Sequence, residues 1–335
     1  MINIRREVCL LPYNTFNVPA TASTFVESDN VAELVDFIRS HRDSSAFILL
    51  SGGSNTLFAS ERCEMVVRPV MQGIEIVDET DDYILVNVAA GENWDNFVSW
   101  CVERYYAGVE NLSYIPGTVG ASPIQNIGAY GAEAKDVIET VETIEIATGK
   151  IVTFNNQQCQ FDYRDSYFKR NKGKYLITAV QFRLSKKFEP NVKYRDLQLE
   201  LVRKAYITLE NVRNAIINIR KRKLPDTAEL GNAGSFFKNP TIDGEKTKEL
   251  LQINPKAPIY PVSLENSKAS AAWLVQQAVG RNFRDGAVGI HKLQSLVIVN
   301  YGGATGREIL DFARKISNLV ADKFGVELEM EVNIV

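Results

Sequence analysis

The sequence predicts a chain of mixed helices and strands folded as two or three domains. Two observations carry this. Its 335 residues exceed the roughly 100–200 residues of one domain. Segments with helical periodicity and segments with strand alternation also interleave from end to end. With 45% hydrophobic and 24% charged residues, there is apolar material for more than one core.

The first helix is expected over Val31–His41, where Val31, Leu34, Val35 and Ile38 recur at helical spacing behind Asp29 or Asn30 as cap. The apolar run Ala46–Leu50 reads as a buried strand and ends in Ser51-Gly52-Gly53-Ser54-Asn55. Tyr83–Ala90 alternates like a strand, and a helix follows from Trp94 to about Tyr106. A long loop, Asn111–Gly131, carries no charge and several glycines. Strands are predicted at Val141–Ala147, Ile151–Phe154 and Tyr175–Leu184, the first two joined as a hairpin through Thr148-Gly149-Lys150. A helix over Leu209–Lys221 ends in basic residues. The remainder reads as a separate module. It holds helices near Glu245–Ile253, Lys268–Val279 and Gly306–Phe324, a strand at Ser295–Asn300 and a last strand over Val326–Val335.

Composition narrows the function classes. A net charge of −3 argues against nucleic acid as partner, since phosphate backbones need a basic surface. Cys9, Cys63, Cys101 and Cys159 are scattered, with no CxxC and no neighbouring His, so neither a zinc site nor a disulfide framework is expected. The N-terminus has no apolar stretch of signal-peptide length, and no run of about 18 apolar residues exists to cross a membrane. A soluble cytoplasmic protein with no metal and no membrane partner is expected.

Five segments are candidates for chemistry. Ser51–Asn55, a glycine pair after a strand, lets backbone amides face a diphosphate, and reads equally as a plain turn. Ile115–Gly131 is not a GxGxxG fingerprint. Its glycines and lack of charge favour a backbone cradle for a large, partly apolar ligand. In Phe161–Ser166 (FDYRDS), Arg164 offers a fork suited to a carboxylate, although its spacing alone reads as a surface ion pair. In Gly231–Pro240 (GNAGSFFKNP), Ser235 follows Gly234, which leaves its hydroxyl sterically open. With only His41 and His291 in the chain, a Ser-His-Asp triad is not expected. In the tail LEMEV, Glu329 and Glu331 share one face of an alternating strand, ordinarily a solvated edge. The basic run Arg220-Lys221-Arg222-Lys223 ordinarily reads as a solvated helix end, or places one or two residues on a phosphate.

In this order, with Tyr13-Asn14-Thr15-Phe16 before them, the motifs LSGGSNTLF, AAGENWDNFV, GVENLSYIPGTVGASPIQNIGAYG, FDYRDSYFK, RKLPD, GNAGSFFKNP and LEMEV resemble the UDP-N-acetylenolpyruvylglucosamine reductases. The likeness covers nearly the whole chain. It implies an α+β fold, with two FAD-binding subdomains of the vanillyl-alcohol-oxidase/PCMH type and a C-terminal α+β substrate domain. Residues 1–69 would form the first flavin subdomain, joined by the last strand (326–335) returning toward it. Residues 70–208 would form the second, and 209–325 the substrate domain.

The resemblance also implies an activity: NADPH-dependent, FAD-mediated reduction of UDP-N-acetylglucosamine enolpyruvate to UDP-N-acetylmuramate for peptidoglycan. Hydride would pass from flavin N5 to the enol-ether methylene carbon. Arg164 would hold the substrate carboxylate, Glu331 would help stabilise the enolate, and Ser235 would give a proton to the adjacent carbon. FAD would lie on Gly52, Gly53, Ser54, Asn55, Thr56, Pro116, Gly117, Gly120, Ser122, Asn126, Gly128, Tyr130 and Gly131. It is expected to be noncovalent, since no histidine stands in the first loop. Tyr194, Lys223, Asn239, Tyr260 and Gln294 would meet the sugar nucleotide, and the loop Ala257–Ser270 marks the family's first type. A monomer is expected.

The tail departs from the family pattern in Met330, where proline is usual, and in Asn333, where arginine is usual, which leaves one flavin contact in question. The rival readings are a sugar or alcohol oxidase on the same flavin fold, which predicts covalent flavin, and a non-catalytic sugar-nucleotide binder, which predicts loss of Arg164, Ser235 or Glu331. None is lost.

Overall fold

The computed structural model describes residues 1–41 and 47–335. Contacts divide the chain into two compact units. The first comprises Met1–Val8, Ala22–Gly52 and Cys63–Arg222; the second comprises Cys9–Thr21, Gly53–Arg62 and Lys223–Val335.

Two larger sheets build most of the first unit, beside the two-stranded pair Gly128–Ala129 and Ala132–Glu133. One has the strand order Asn3–Cys9, Thr21–Ser28, Arg62–Pro69, Phe47–Leu49, its last pair parallel. The expected strand at Ala46–Leu50 is present as Phe47–Leu49; Ala46 lies outside the described residues. The helix Val31–His41 buries Leu34, Val35, Phe37 and Ile38, the stripe its spacing predicts.

The other sheet is antiparallel, in the order Lys150–Asn155, Ile138–Glu145, Tyr175–Ser185, Tyr83–Ala89, Ile74–Glu79. Its hairpin closes at Glu145↔Lys150, with Gly149 left-handed at φ 64. The helix Trp94–Glu103 packs Trp94 and Phe97 against Phe182 of this sheet, at centroid distances of 6.0 and 4.8 Å.

The second unit centres on a sheet ordered Gly231–Ser235, Gln294–Asn300, Val288–His291, Arg284–Asp285. Its core joins Phe16, Leu57, Phe236 and Phe237 to the helices Ala271–Val279 and Gly306–Phe324. The longer helix starts at a Thr305–Glu308 capping box and stops at Gly325, φ 61.

Two expectations need correction. The helix placed from Lys268 begins at Ala271. Lys268 and Ala269 belong to the strand Asn266–Ala269, because Ser270 caps the helix by accepting from the Trp273 amide. The strand expected over Val326–Val335 is reduced to Asn333–Ile334, which pairs parallel with Thr56–Leu57. This is the return toward the first glycine loop. Among the described residues, no helix is long and apolar enough to cross a membrane.

Candidate active site

In the first unit the long loop and the FDYRDS segment are tied together. Ser166 Oγ donates to Ile124 O at 2.6 Å, Asn126 Nδ2 to Asp162 O at 3.0 Å, and Arg164 Nη2 to Gly128 O at 2.6 Å. Asp162 and Asp165 exchange backbone hydrogen bonds of 3.0 and 3.2 Å, closing a turn around Tyr163 and Arg164. Arg164 is left-handed there, φ 53. An L residue with a long side chain avoids this region at a cost of roughly 1–2 kcal/mol. A non-glycine held in such a backbone is the kind of strain that gathers at functional sites.

Tyr114, Asn126 and Tyr130 of the long loop are left-handed too, at φ 60, 44 and 50. Ser122 and Asn126 are buried and their side chains serve the loop itself. Ser122 Oγ donates to Val119 O at 2.7 Å, and the Asn126 side chain bonds Glu133, Asp162 and the Lys135 amide.

Tyr114, at the loop entrance, is gripped on both backbone faces. Its amide donates to Asp95 Oδ1 at 2.5 Å, and its carbonyl accepts from Arg220 Nε at 2.9 Å. Asp95 also takes both ends of the Arg213 guanidinium, at 2.6 and 2.9 Å. Burial opposes ionisation of Asp95. The bonds from Arg213 and Tyr114 and the charge of Arg220 outweigh it and hold the carboxyl below its ordinary pKa. Burial lowers the Arg220 pKa, Tyr130 opposes this, and the like charge of Arg164 adds to it; a guanidinium stays charged regardless. Of the basic run, Arg222 pairs with Glu200 at 2.7 Å and Lys221 lies over the Tyr114 ring. Arg220, Lys221 and Arg222 thus all have roles within the chain.

The SGGSN loop contributes to both units. In the first, Ser51 Oγ meets Thr118 Oγ1, and a Cβ on Gly52 would lie 2.9 Å from Gly117 Cα. The two glycine loops therefore touch backbone to backbone. In the second unit Gly53, φ 65, packs so closely that a Cβ would sit 2.0 Å from Tyr13 O. Thr15 makes two bonds that no sequence spacing foretells. Its Oγ1 donates to Asn232 O at 2.6 Å, and its carbonyl accepts from Asn232 N at 2.8 Å. The Tyr13–Phe16 stretch thus joins the loop to the strand that carries Ser235.

That strand is irregular. Asn232 pairs with Val299 and Ser235 with Val297, so one extra residue bulges between them, with Gly234 at φ 71. A bulge re-aims the side chain that follows it, here Ser235. Phe236 and Phe237, next in sequence, are fully buried. The tail then pairs with this segment. Lys238 N donates to Glu329 O at 2.9 Å and Glu331 N to Phe236 O at 2.8 Å, with Lys238 Nζ on Glu329 Oε1 at 2.5 Å. Glu331 is half-buried while Glu329 is exposed.

The remaining predicted residues are spread over both units. Tyr194 stacks edge-on to Tyr130, at 5.5 Å and 70°. Asn239 Oδ1 accepts from the first amide of the Ala271–Val279 helix at 3.0 Å. Tyr260 is 62% exposed on the strand Ile259–Pro261. Gln294 opens the strand that pairs with Ser235, and Lys223 ends its helix exposed. Sequence reasoning does not reach the roles of Tyr13–Phe16, Asp95 and Arg213. The available signal is that YNTF, and the AAGENWDNFV that holds Asp95, belong to the motifs of the resemblance.

The donor set suits a flavin dinucleotide. The surface where the two glycine loops meet is built from backbone and small side chains, and neither loop holds a charged residue, a His or a Cys. Backbone amides there can take a diphosphate. A FAD-binding domain family model matches residues 22–155, and the protein is a flavoprotein. A second family model, for the C-terminal domain of UDP-N-acetylenolpyruvoylglucosamine reductase, matches residues 225–335.

Curated relatives with that reductase name include those of Flavobacterium johnsoniae, 40% identical over 100% of both chains, and Chromobacterium violaceum, 43% identical over 98% of both. The chain belongs to the UDP-N-acetylenolpyruvoylglucosamine reductase family. Its fold is also that of the solved reductase from Thermus caldophilus, with a TM-score of 0.70, 22% identity, and coverage of 100% of this chain and 99% of that one.

Proposed function

We infer that this protein reduces UDP-N-acetylenolpyruvoylglucosamine to UDP-N-acetylmuramate in peptidoglycan precursor synthesis, using FAD and NADPH. The flavin supplies two-electron chemistry: hydride in from NADPH, and hydride out to the methylene carbon of the enol ether. The chain's own residues do the rest. Arg164 holds the substrate carboxylate and, as carbanion character builds beside it, stabilises the enolate. Glu331, carrying its proton, hydrogen-bonds the same charge. Ser235 gives its hydroxyl proton to the adjacent carbon and is reprotonated from solvent. An enolate is basic enough to take it, so no histidine is needed.

The observation that carries this reading is the pairing of the tail with the Ser235 segment, with the Glu331 amide on the carbonyl next to Ser235. Support for Arg164 comes from its strained turn beside Gly128. Tyr194, Lys223, Asn239, Tyr260 and Gln294 are assigned to the sugar nucleotide. The glycine loops, Gly52–Thr56 and 115–131, are assigned to FAD, held without a covalent bond. In domain terms, 1–69 with 326–335 and 70–208 hold the flavin, and 209–325 covers the substrate. The enzyme works as a cytoplasmic monomer.

The test is anaerobic. The purified yellow protein should bleach with NADPH and regain its colour on adding the enolpyruvyl sugar nucleotide. Bleaching without recovery sinks the assignment.

A further inference from the structure

The tail changes partners at Glu331. Before it, the chain is anchored to the Ser235 segment by the Phe237↔Met330 bridge, the Lys238 amide on Glu329 O and the Glu331 amide on Phe236 O. After it, the chain is anchored to the first glycine loop. Asn333 N donates to Asn55 O at 3.0 Å, and Asn333 Nδ2 donates to the same carbonyl at 3.2 Å. Asn55 Nδ2 returns a long 3.4 Å bond to Glu331 O. The parallel pairing that follows is only two residues long, Asn333↔Thr56 and Ile334↔Leu57. Ladders so short are weak by themselves; the Val335 amide on Leu57 O and the Ala59 amide on Val335 O extend this anchor, and the Asn333 side chain adds one bond, on the carbonyl that already takes the Asn333 amide. A carbonyl has two lone pairs and can take both donors.

We propose that Asn333 is a positioning residue for Glu331: through Asn55 it fixes the tail to the flavin loop, so that Glu331 is held from both sides. The inference rests on the reading of Glu331 above and adds a residue to it. Only Val332, buried in the core where the chain bends, separates Glu331 from Asn333. Freeing Asn333 therefore lets the Glu331 side chain drift, and a displacement of about 1 Å at a reacting group costs up to about a hundredfold in rate.

The test uses the FAD-loaded protein and reads the two half-reactions separately. In N333A, reoxidation by the enolpyruvyl sugar nucleotide at saturation should slow at least about tenfold, with KM and the rate of bleaching by NADPH nearly unchanged. N333D keeps the size but opposes a carboxylate to the Asn55 carbonyl, and should be as slow. As pH falls into the carboxyl range it regains a donor, and its reoxidation should recover relative to N333A. If N333A does not load flavin, N333D is read alone by that pH profile. Equal loss of both half-reactions, no loss, or an N333D profile without acid recovery overturns the proposal. Failure of the wild-type protein to be reoxidised at all would instead overturn the functional reading.

Discussion

The amide of Glu331 donates to the carbonyl of Phe236 at 2.8 Å, so the tail of the chain is bonded to the residue that follows Ser235. Residues 96 positions apart in sequence, Ser235 and Glu331, are thereby held in neighbouring segments of one unit. The backbone bond sets this proximity, and side-chain chemistry then acts on it.

Ser235→Ala should leave bleaching by NADPH intact and slow reoxidation by the substrate about 10²–10⁴-fold, the span of a lost general acid. Stopped-flow absorbance of the flavin measures both. Equal loss of both half-reactions would mean that Ser235 is structural.

Arg164 sits left-handed at φ 53, where glycine is at ease. Arg164→Gly should therefore be more stable than Arg164→Ala by about 1 kcal/mol, while both lose reoxidation. Denaturant melts give the first comparison and flavin kinetics the second. An alanine variant as stable as the glycine one would show that the turn carries no strain.

Gly53 and Gly234 separate two costs. Gly234 is left-handed, with nothing within 4 Å of the place a Cβ would take, so Gly234→Ala should cost about 1 kcal/mol of backbone strain. At Gly53 the same strain is joined by a clash with Tyr13 O, so Gly53→Ala should cost clearly more and weaken FAD binding. Melting temperatures and flavin retention on gel filtration test the order.

Asp95 is held below its ordinary pKa: burial opposes the charge, but the bonds from Arg213 and Tyr114 prevail. Its folded pKa is depressed, so its contribution is present above the unfolded value of about 3.9 and is lost as pH falls through the folded one. Asp95→Asn should cost about 2 kcal/mol at neutral pH and flatten the acid limb of stability. Urea melts across that limb would show an unchanged slope if Asp95 were a bystander.

Glu110 is the opposite case. Burial raises its pKa, against the bond from the Gly108 amide. A raised carboxyl contributes fully below the unfolded value of about 4.3 and loses that contribution as pH rises through the folded one. Gln can still accept from Gly108. Glu110→Gln should therefore be at least as stable as wild type at neutral pH and lack the decline between. A variant less stable at neutral pH would contradict this.

Periodicity makes the helices Val31–His41, Trp94–Glu103, Leu209–Lys223 and Gly306–Phe324 legible, because each must bury an apolar stripe and the stripe is written at 3.6-residue spacing. The strands Asn3–Cys9 and Arg62–Pro69 escape such a reading. Asn3–Cys9 is largely exposed and polar, and in Arg62–Pro69 the alternation of Arg62 to Met65 gives way to the buried run Met65-Val66-Val67, so neither alternates along its length. The tail reads as one long strand because Leu328, Met330 and Val332 alternate with acids. It ladders only briefly because its partners change at Glu331.

Ser235 itself is legible as a serine behind a glycine with no histidine to activate it. The sequence by itself determined the residue types on which the proposed chemistry rests: an uncharged glycine loop, an arginine between acids, that serine, and a tail glutamate, each with donors and charge that are intrinsic. Tertiary structure alone decided their presentation. The bulge before Ser235, the Arg164 bond to Gly128, the Tyr13–Phe16 link and the Asn55–Asn333 anchor all depend on hydrogen bonds between segments far apart in the chain, and no local preference encodes such bonds.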